Sequence, residues 1–356
     1  MNSMERIKAM VEGKPVDRIG ISAWYHMPLL DHVAKDFADG IINSVETMKW
    51  DVCKVQYHGY YFVSSFGQDY VPSVSATQLY GPVKKWMVPH PKMFEDLKMP
   101  SLTEGPLARE LELTKRIMDK LGGKVPVLPT IFSPMHAAEW MTGGSDHTEY
   151  IYSFMKYNPK EVHKGLEIIT EANLRFLEEL LKLGVDGIFL ADVFSSKDQL
   201  SEEMHDEFVK KYDLQILDAC KDHTWFNILH AHGWKNLRFD EYEKAGYPIQ
   251  AYNWEDCYRD STLKDESQIT TLADARKITD KILMGGIEFW NDFNSAENDR
   301  WAVKEVIKKR LLNALEMLGP DDQKFIFTPG CSVKMHVPEY RMKLIHEVVE
   351  EITGIA

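Results

Sequence analysis

Eight short runs rich in β-branched and aromatic residues, separated by longer stretches with helical periodicity, limit what this chain can fold into. The runs occupy residues 19–24, 51–57, 125–132, 186–191, 225–230, 247–252, 282–287 and 324–327. Strands that alternate with helices pair in parallel, since each crossover needs a helix's length of chain and turns right-handed. Eight such units in 356 residues fit most economically into one closed (β/α)8 barrel of TIM type, with an open doubly wound sheet as the alternative.

The intervening stretches agree with this. After Pro159 the apolar residues Val162, Leu166, Ile169, Leu177 and Leu180 recur at helical spacing, with Asn158 placed to cap and Gly184 closing the far end. Residues 201–222, 271–281, 297–318 and 338–352 read the same way. Two segments break the rhythm. Residues 68–100, rich in Pro, Ser and Tyr, are too long for a simple connection, and an insertion with its own short strands over the barrel mouth is expected there. Residues 291–299 read as a loop after the seventh strand. The whole chain, 1–356, is then one barrel domain with one insertion.

Composition narrows the function classes. A hydrophobic content of 44% with 27% charged residues describes an ordinary globular protein able to bury a large core. A formal net charge of −13 with no sustained basic face argues against a nucleic-acid partner. No run approaches the roughly eighteen apolar residues of a membrane span, and the first residues carry no apolar signal segment, so a cytoplasmic enzyme without a membrane partner is expected. Cys53, Cys220, Cys257 and Cys331 lie far apart with no CxxC pair, so neither a disulfide framework nor a thioredoxin-like motif is suggested.

In a (β/α)8 barrel the active site lies at the carboxyl ends of the strands. Those ends carry Tyr25 and His26, then His58 and Tyr60, then Ser133 and His136, then Asp192, then His230 and His232, then Asn253 and Glu255, then Gly285-Gly286, and finally Cys331. His230 and His232 are i and i+2 on an extended run and point to one side. A thiolate from Cys331 on another strand end could complete most of a tetrahedral zinc site, with Glu255 as candidate fourth ligand. The competing reading makes the histidines two polar strand-end residues and Cys331 a small buried hydrophobe. Asp192 ends a very apolar run, where a carboxylate is partly desolvated. A general base, a hydrogen-bond partner for a ligating histidine, or a helix cap are all open to it. Tyr25, His26, Tyr60, His136 and Asn253 are candidate substrate-binding residues by the same strand-end argument.

The chain resembles the uroporphyrinogen decarboxylase superfamily along nearly all its length. The resemblance is carried by Glu12-Gly-Lys-Pro-Val-Asp-Arg18, Ile131-Phe-Ser-Pro-Met-His-Ala-Ala-Glu139, Leu183-Gly-Val-Asp-Gly-Ile-Phe-Leu-Ala-Asp192, Leu229-His-Ala-His-Gly233 and Thr328-Pro-Gly-Cys-Ser332. It implies a (β/α)8 barrel. Porphyrinogen decarboxylases open with an arginine-rich signature that holds substrate carboxylates, whereas the matching region here is Ser22-Ala-Trp-Tyr-His-Met27. The zinc-dependent methyltransferases of corrinoid pathways carry a His-x-Cys pair and a distant Cys where His230, His232 and Cys331 stand. The histidine at 232 departs from that pattern, and a His-His-Cys shell is less electron-rich and favours Lewis-acid activation of an oxygen.

The resemblance thus implies a zinc-dependent methyltransferase that moves a methyl group between a methoxy aromatic, alcohol or thiol and a corrinoid (cobalamin), with Asp192 handling a proton. No Asp-x-His-x-x-Gly corrinoid motif occurs in the sequence, so the corrinoid would ride on a separate protein. Barrels of this kind often dimerise, and a homodimer is within expectation. Two rivals stand beside this reading: a metal-free decarboxylase using Asp192 or Asp51, and a non-enzymatic corrinoid- or tetrapyrrole-binding protein.

Overall fold

The computed structural model describes residues 1–79, 81–258, 268–294 and 299–355. Ten strands occur among them: β1 (Gly20–Ile21), β2 (Cys53–Val55), β3 (Asp69–Tyr70), β4 (Val83–Lys85), β5 (Val127–Phe132), β6 (Phe189–Asp192), β7 (Ile228–Ala231), β8 (Ala251–Asn253), β9 (Ile282–Ile287) and β10 (Phe325–Pro329). Eight of them form one sheet in the order β1-β10-β9-β8-β7-β6-β5-β2, and every neighbouring pair is parallel. The sheet curls until its two edges meet. There the Asp51 amide donates to the Ile21 carbonyl at 2.8 Å, and Ser22 Oγ donates to the Val52 carbonyl at 2.9 Å. The fold is a (β/α)8 TIM-type barrel with the helices outside.

These strands are buried on both faces, inward against the barrel interior and outward against helices. That is why their sequences read as continuous apolar runs rather than as alternating ones. The expected runs sit on the observed strands, with shortened ends. Pro248 cannot donate to the ladder, so the run from Tyr247 pairs only from Ala251. The 271–281 stretch keeps one helical turn, Leu272–Arg276, opened by a Thr271 capping box. Residues 201–222 form one continuous helical path, Glu202–His205, Asp206–Lys210 and Lys211–Cys220, with a π-turn in the middle. Within 291–299, residues Asn291–Asn294 are helical rather than loop. Residues 295–298 lie outside the described residues, and with them the expected start of the next helix, which is seen from Arg300 to Leu318.

The 68–100 segment does contain strands of its own, the antiparallel pair β3 and β4, followed by a short 3-10 turn at Pro91–Asp96. It is tied to the helix Pro134–Thr142 by Val88 N–H to the Met141 carbonyl (2.8 Å) and Gln68 Nε2 to the Trp140 carbonyl (3.2 Å).

At the amino-terminal end of β2 the closure is locked by charge. Asp51 is fully buried and takes Arg6 Nη1 at 2.5 Å, Arg18 Nη1 at 2.6 Å, Ser3 Oγ at 2.8 Å and the Ile21 amide at 3.0 Å. Asp51 is therefore a structural anion at the end of the barrel opposite the strand carboxyl ends, which removes it as a catalytic carboxylate. Replacing it by Ala strips the buried Arg18 guanidinium of its carboxylate partner and leaves Arg6 with Asp17 alone. We expect Asp51→Ala to lose about 3–5 kcal/mol of unfolding free energy in chemical denaturation, the range for breaking a buried ion pair from one side.

Candidate metal centre

The register between β7 and β8 sets His230 opposite Asn253. Asn253 Nδ2 donates to the Met284 and Pro329 carbonyls, at 3.0 and 3.3 Å, so its Oδ1 is left to accept. His230 Nδ1 lies 2.6 Å from that oxygen and must therefore carry the ring proton. The lone pair on Nε2 then faces away, toward His232 Nδ1 at 3.3 Å and Cys331 Sγ at 3.9 Å. Cys331 Sγ is also 3.9 Å from His232 Nδ1, and all three ligand atoms lie within 4.8 Å of one another.

These distances can be set against those of a metal shell. Ligands placed tetrahedrally around zinc, at about 2.0 Å for nitrogen and about 2.3 Å for sulfur, stand about 3.3 Å apart nitrogen to nitrogen and about 3.5 Å apart sulfur to nitrogen. The His230–His232 separation already matches, and the thiol needs to move a few tenths of an ångström. A thiolate and two imidazoles are a donor set that suits zinc. The residues present thus fit the ion that the resemblance implies. Cys331 reaches this point because the chain passes tightly beneath the β8 loop. A Cβ at Gly330 would stand 2.5 Å from the Trp254 carbonyl oxygen, so only glycine fits.

Charge around the cluster is organised for a cation. Burial holds His230 well below its usual range, with His232 adding to the effect, so it is neutral and ready to ligate. Desolvation opposes protonation of His232 too, but the Glu255 carboxylate and the Cys331 thiol outweigh it and raise the group. Glu255 Oε1 stands 3.8 Å from His232 Nδ1, beside the triad rather than at its centre. The anions gathered here hold a proton on His232 that a metal would displace.

The remaining expected site residues are placed as follows. His136 Nδ1 donates to the Ala191 carbonyl at 3.1 Å, and Ala191 pairs with His230 across the sheet. Its Nε2 is buried without a partner among the described residues, and burial lowers the ring to about 3. His26 lies 3.1 Å from Gln56 Nε2 and is likewise lowered by burial to about 3. Tyr60 packs on Tyr70 and Trp140, at ring separations of 5.1 and 5.5 Å. Tyr25 turns outward, its hydroxyl donating to Glu339 at 2.9 Å. Asp192 is fully buried and accepts from the Phe194 amide (2.8 Å), Tyr242 hydroxyl (2.9 Å) and Ser195 Oγ (3.0 Å). Its carboxylate faces these protein donors rather than the triad, and burial raises it despite them.

Three residues at the site were not singled out from the sequence. Lys54 is buried on β2, with its Nζ 4.8 Å from the Phe189 ring that stacks on His230. Burial lowers it to about 7, with Cys331 pulling it back up. A lysine inside the apolar Val52-Cys-Lys-Val55 run was the signal. Gln56 accepts from Lys54 Nζ and from Ser332 Oγ, the latter at 3.4 Å. Glu139 lies on the inner face of the helix Pro134–Thr142 and is 4% exposed. A second group, Asp31, His32 and His58, also has ligand atoms within 4.8 Å. There, however, His58 Nδ1 accepts the Tyr60 amide at 3.0 Å, which puts the ring proton on Nε2 and makes it a poor ligand.

Comparison with known proteins now adds a family. The sequence profile of the uroporphyrinogen decarboxylase (URO-D) family matches residues 72–352, and the chain belongs to that family. Among curated relatives it is 22% identical to a methylcobamide:CoM methyltransferase, MtaA, from Methanosarcina barkeri (strain Fusaro / DSM 804), over 96% of this chain and 95% of that one. It is 23% identical to a uroporphyrinogen decarboxylase from a Hydrogenobaculum species, over 73% of this chain and 68% of that one. Among solved structures, a methyltransferase from Methanosarcina mazei superposes with a TM-score of 0.74 at 19% identity, covering 99% of each chain. The family is enzymatic, and its members similar to this chain include both methyltransferases and decarboxylases. No described helix is long and apolar enough to cross a membrane.

Because Asn253 fixes the His230 tautomer, Asn253→Leu should weaken zinc binding about 10–100-fold, as loss of a ligand's outer hydrogen bond does. A competition titration against a chromophoric chelator checks this, with an unchanged far-ultraviolet spectrum as the folding control.

Proposed function

We propose that the chain is a zinc-dependent methyltransferase that moves a methyl group between a small methylated compound (a methoxy aromatic, an alcohol or a thiol) and a corrinoid carried by a separate protein. The observation that carries this reading is the triangle of His230 Nε2, His232 Nδ1 and Cys331 Sγ, pre-aimed by Asn253 at the carboxyl ends of β7 and β10. His230, His232 and Cys331 would hold the ion, with Glu255 able to join from beside His232. When bound, zinc would supply Lewis acidity to the heteroatom that gives or takes the methyl group. The relatives named as methylcobamide:CoM methyltransferases support both the corrinoid and the methyl transfer.

His26, Tyr60 and His136, with the aromatic rings around them, would wall the small molecule against water. Tyr25, turned to Glu339, would contribute at the rim. Asp192, closed in by three donors, would act on the proton inventory through its field rather than by touching substrate.

Decarboxylation of a porphyrinogen is the second reading, favoured by relatives that bear that name. A substrate with many carboxylates needs unpaired cations, and among the described residues Arg109 is engaged by Glu110 and Arg238 by Glu241.

Protein purified without chelator should contain about one zinc per chain, and Cys331→Ser should lose most of it. Mixed with cob(I)alamin and a panel of methylated phenols, alcohols and thiols, the wild type should shift the cobalt bands to those of methylcobalamin, while His230→Ala should not. A parallel chromatographic assay should show no coproporphyrinogen formed from uroporphyrinogen. Coproporphyrinogen release with a silent methyl panel would assign the chain to the decarboxylases.

A further inference from the structure

One helix face beside the triad is polar, buried and unused by the interactions that hold the fold. On the helix Pro134–Thr142, His136 and Glu139 stand at i and i+3 and so share a side. Both are at least nine-tenths buried, at 5% and 4% exposure. His136 is oriented by its Nδ1 bond to the Ala191 carbonyl, which leaves Nε2 without a partner among the described residues. Among the described residues the Glu139 carboxyl makes no hydrogen bond at all. Buried polar groups are almost always satisfied, and an unpartnered imidazole nitrogen beside a carboxyl without a hydrogen bond on one helix face asks for a ligand that brings a proton to share. The face lies beside the triad: His136 bonds the Ala191 carbonyl opposite His230, the imidazoles of His230 and His232 disfavour charge on His136, and His232 attracts the Glu139 carboxylate.

We propose that Glu139, with His136 beside it, is the proton-exchange site for the protic form of the small molecule, the hydroxyl or thiol R–XH whose heteroatom meets the triad. The inference rests on the methyltransferase reading and adds to it the residue that balances the reaction. When the methyl group goes to R–XH, the cobalt–carbon bond breaks with its electron pair left on cobalt. A lone pair on X forms the X–C bond, and the proton passes to a Glu139 carboxyl oxygen. In the opposite direction the X–C pair returns to X, a cobalt(I) pair forms the cobalt–carbon bond, and Glu139 returns the proton to X. No other oxidant or reductant is needed.

The surroundings suit that task. The groups that face Glu139 are Asp192 at the end of β6, His232 after β7, Tyr152 on the helix Thr148–Tyr157, and His136 on its own helix. Burial raises the carboxyl, His232 lowers it and Asp192 raises it, with a net result of about 7. A group poised there can both accept and return a proton near neutrality. Asp192, saturated by Phe194, Ser195 and Tyr242, then serves as a positioning residue whose charge tunes Glu139.

The test uses zinc-loaded full-length protein and 2-mercaptoethanol as probe, titrated calorimetrically at about pH 8 in two buffers of different ionisation heat. At that pH Glu139 is mostly ionised and can take the thiol proton, so the wild type should release clearly less than one proton per thiol bound. Glu139→Gln should release about one, with zinc content and melting temperature unchanged, and its methyl transfer to the thiol should fall about 10²–10⁴-fold. Glu139→Asp should recover part of both signals. Equal proton release in wild type and Glu139→Gln overturns the role of Glu139 while leaving the metal reading standing. Absence of zinc-dependent thiol binding in the wild type sinks both.

Discussion

Parallel register between β7 and β8 governs the site, because it sets His230 opposite Asn253 and lets one amide read out three strands. Asn253 accepts from His230 on β7 while donating to carbonyls on β9 and β10. The side chain that fixes the histidine tautomer is thus held by the strands that carry the third ligand, Cys331, to the same end. Slipping the register by one residue would turn His230 toward the helices and Ala231 toward the barrel interior. The site depends on the ladder being complete, and Arg6 and Arg18 clamp Asp51 where the ladder closes at the other end.

Electrostatics follows from that geometry. His230 is stripped of solvent and neutral, whereas His232, half exposed with its side chain 45% accessible, sits among Glu255, Cys331 and Glu139 and is held protonated. A proton on His232 marks the place where the anions seek positive charge. A divalent ion would supply that charge and release the proton, so metal uptake and proton release are one event, favoured as pH rises. Lys54 adds a buried amine whose one hydrogen-bond acceptor among the described residues is Gln56. Burial already disfavours its charge, and a metal bound nearby would oppose it further.

Most of the barrel was legible in the sequence because strands buried on both faces write themselves as uninterrupted apolar runs, and parallel pairing demands helices between them. The triad was legible for a related reason: in a barrel, all strand carboxyl ends meet, so residues a hundred positions apart become neighbours without any local signal linking them. Boundaries failed where one residue overruled a pattern, as Pro248 did for the sixth run. Asp192 is an instructive case. Its position at a strand end could be read, but the Tyr242 hydroxyl fifty residues away that occupies it could not. Glu139 stayed unseen because helical periodicity marks which face is buried without saying whether that face meets apolar core or a polar pocket.

The aromatic wall beside the triad connects the insertion to the chemistry. Phe132 packs on His136 at 4.7 Å, His136 on Trp140 at 4.9 Å, Trp140 on Tyr60 at 5.5 Å and Tyr60 on Tyr70 at 5.1 Å. Tyr70 belongs to β3, so the 68–100 segment supplies the last ring of a surface that includes His136, one helical turn from Glu139. A shared barrel leaves function to what its loops and strand ends add. Among the described residues they add rings and a buried acid. Such a wall lowers the local dielectric around Glu139, which is the condition under which a carboxyl stays poised near neutrality instead of ionising fully into water. The same rings that would hold a small organic molecule thus keep its proton acceptor in working range.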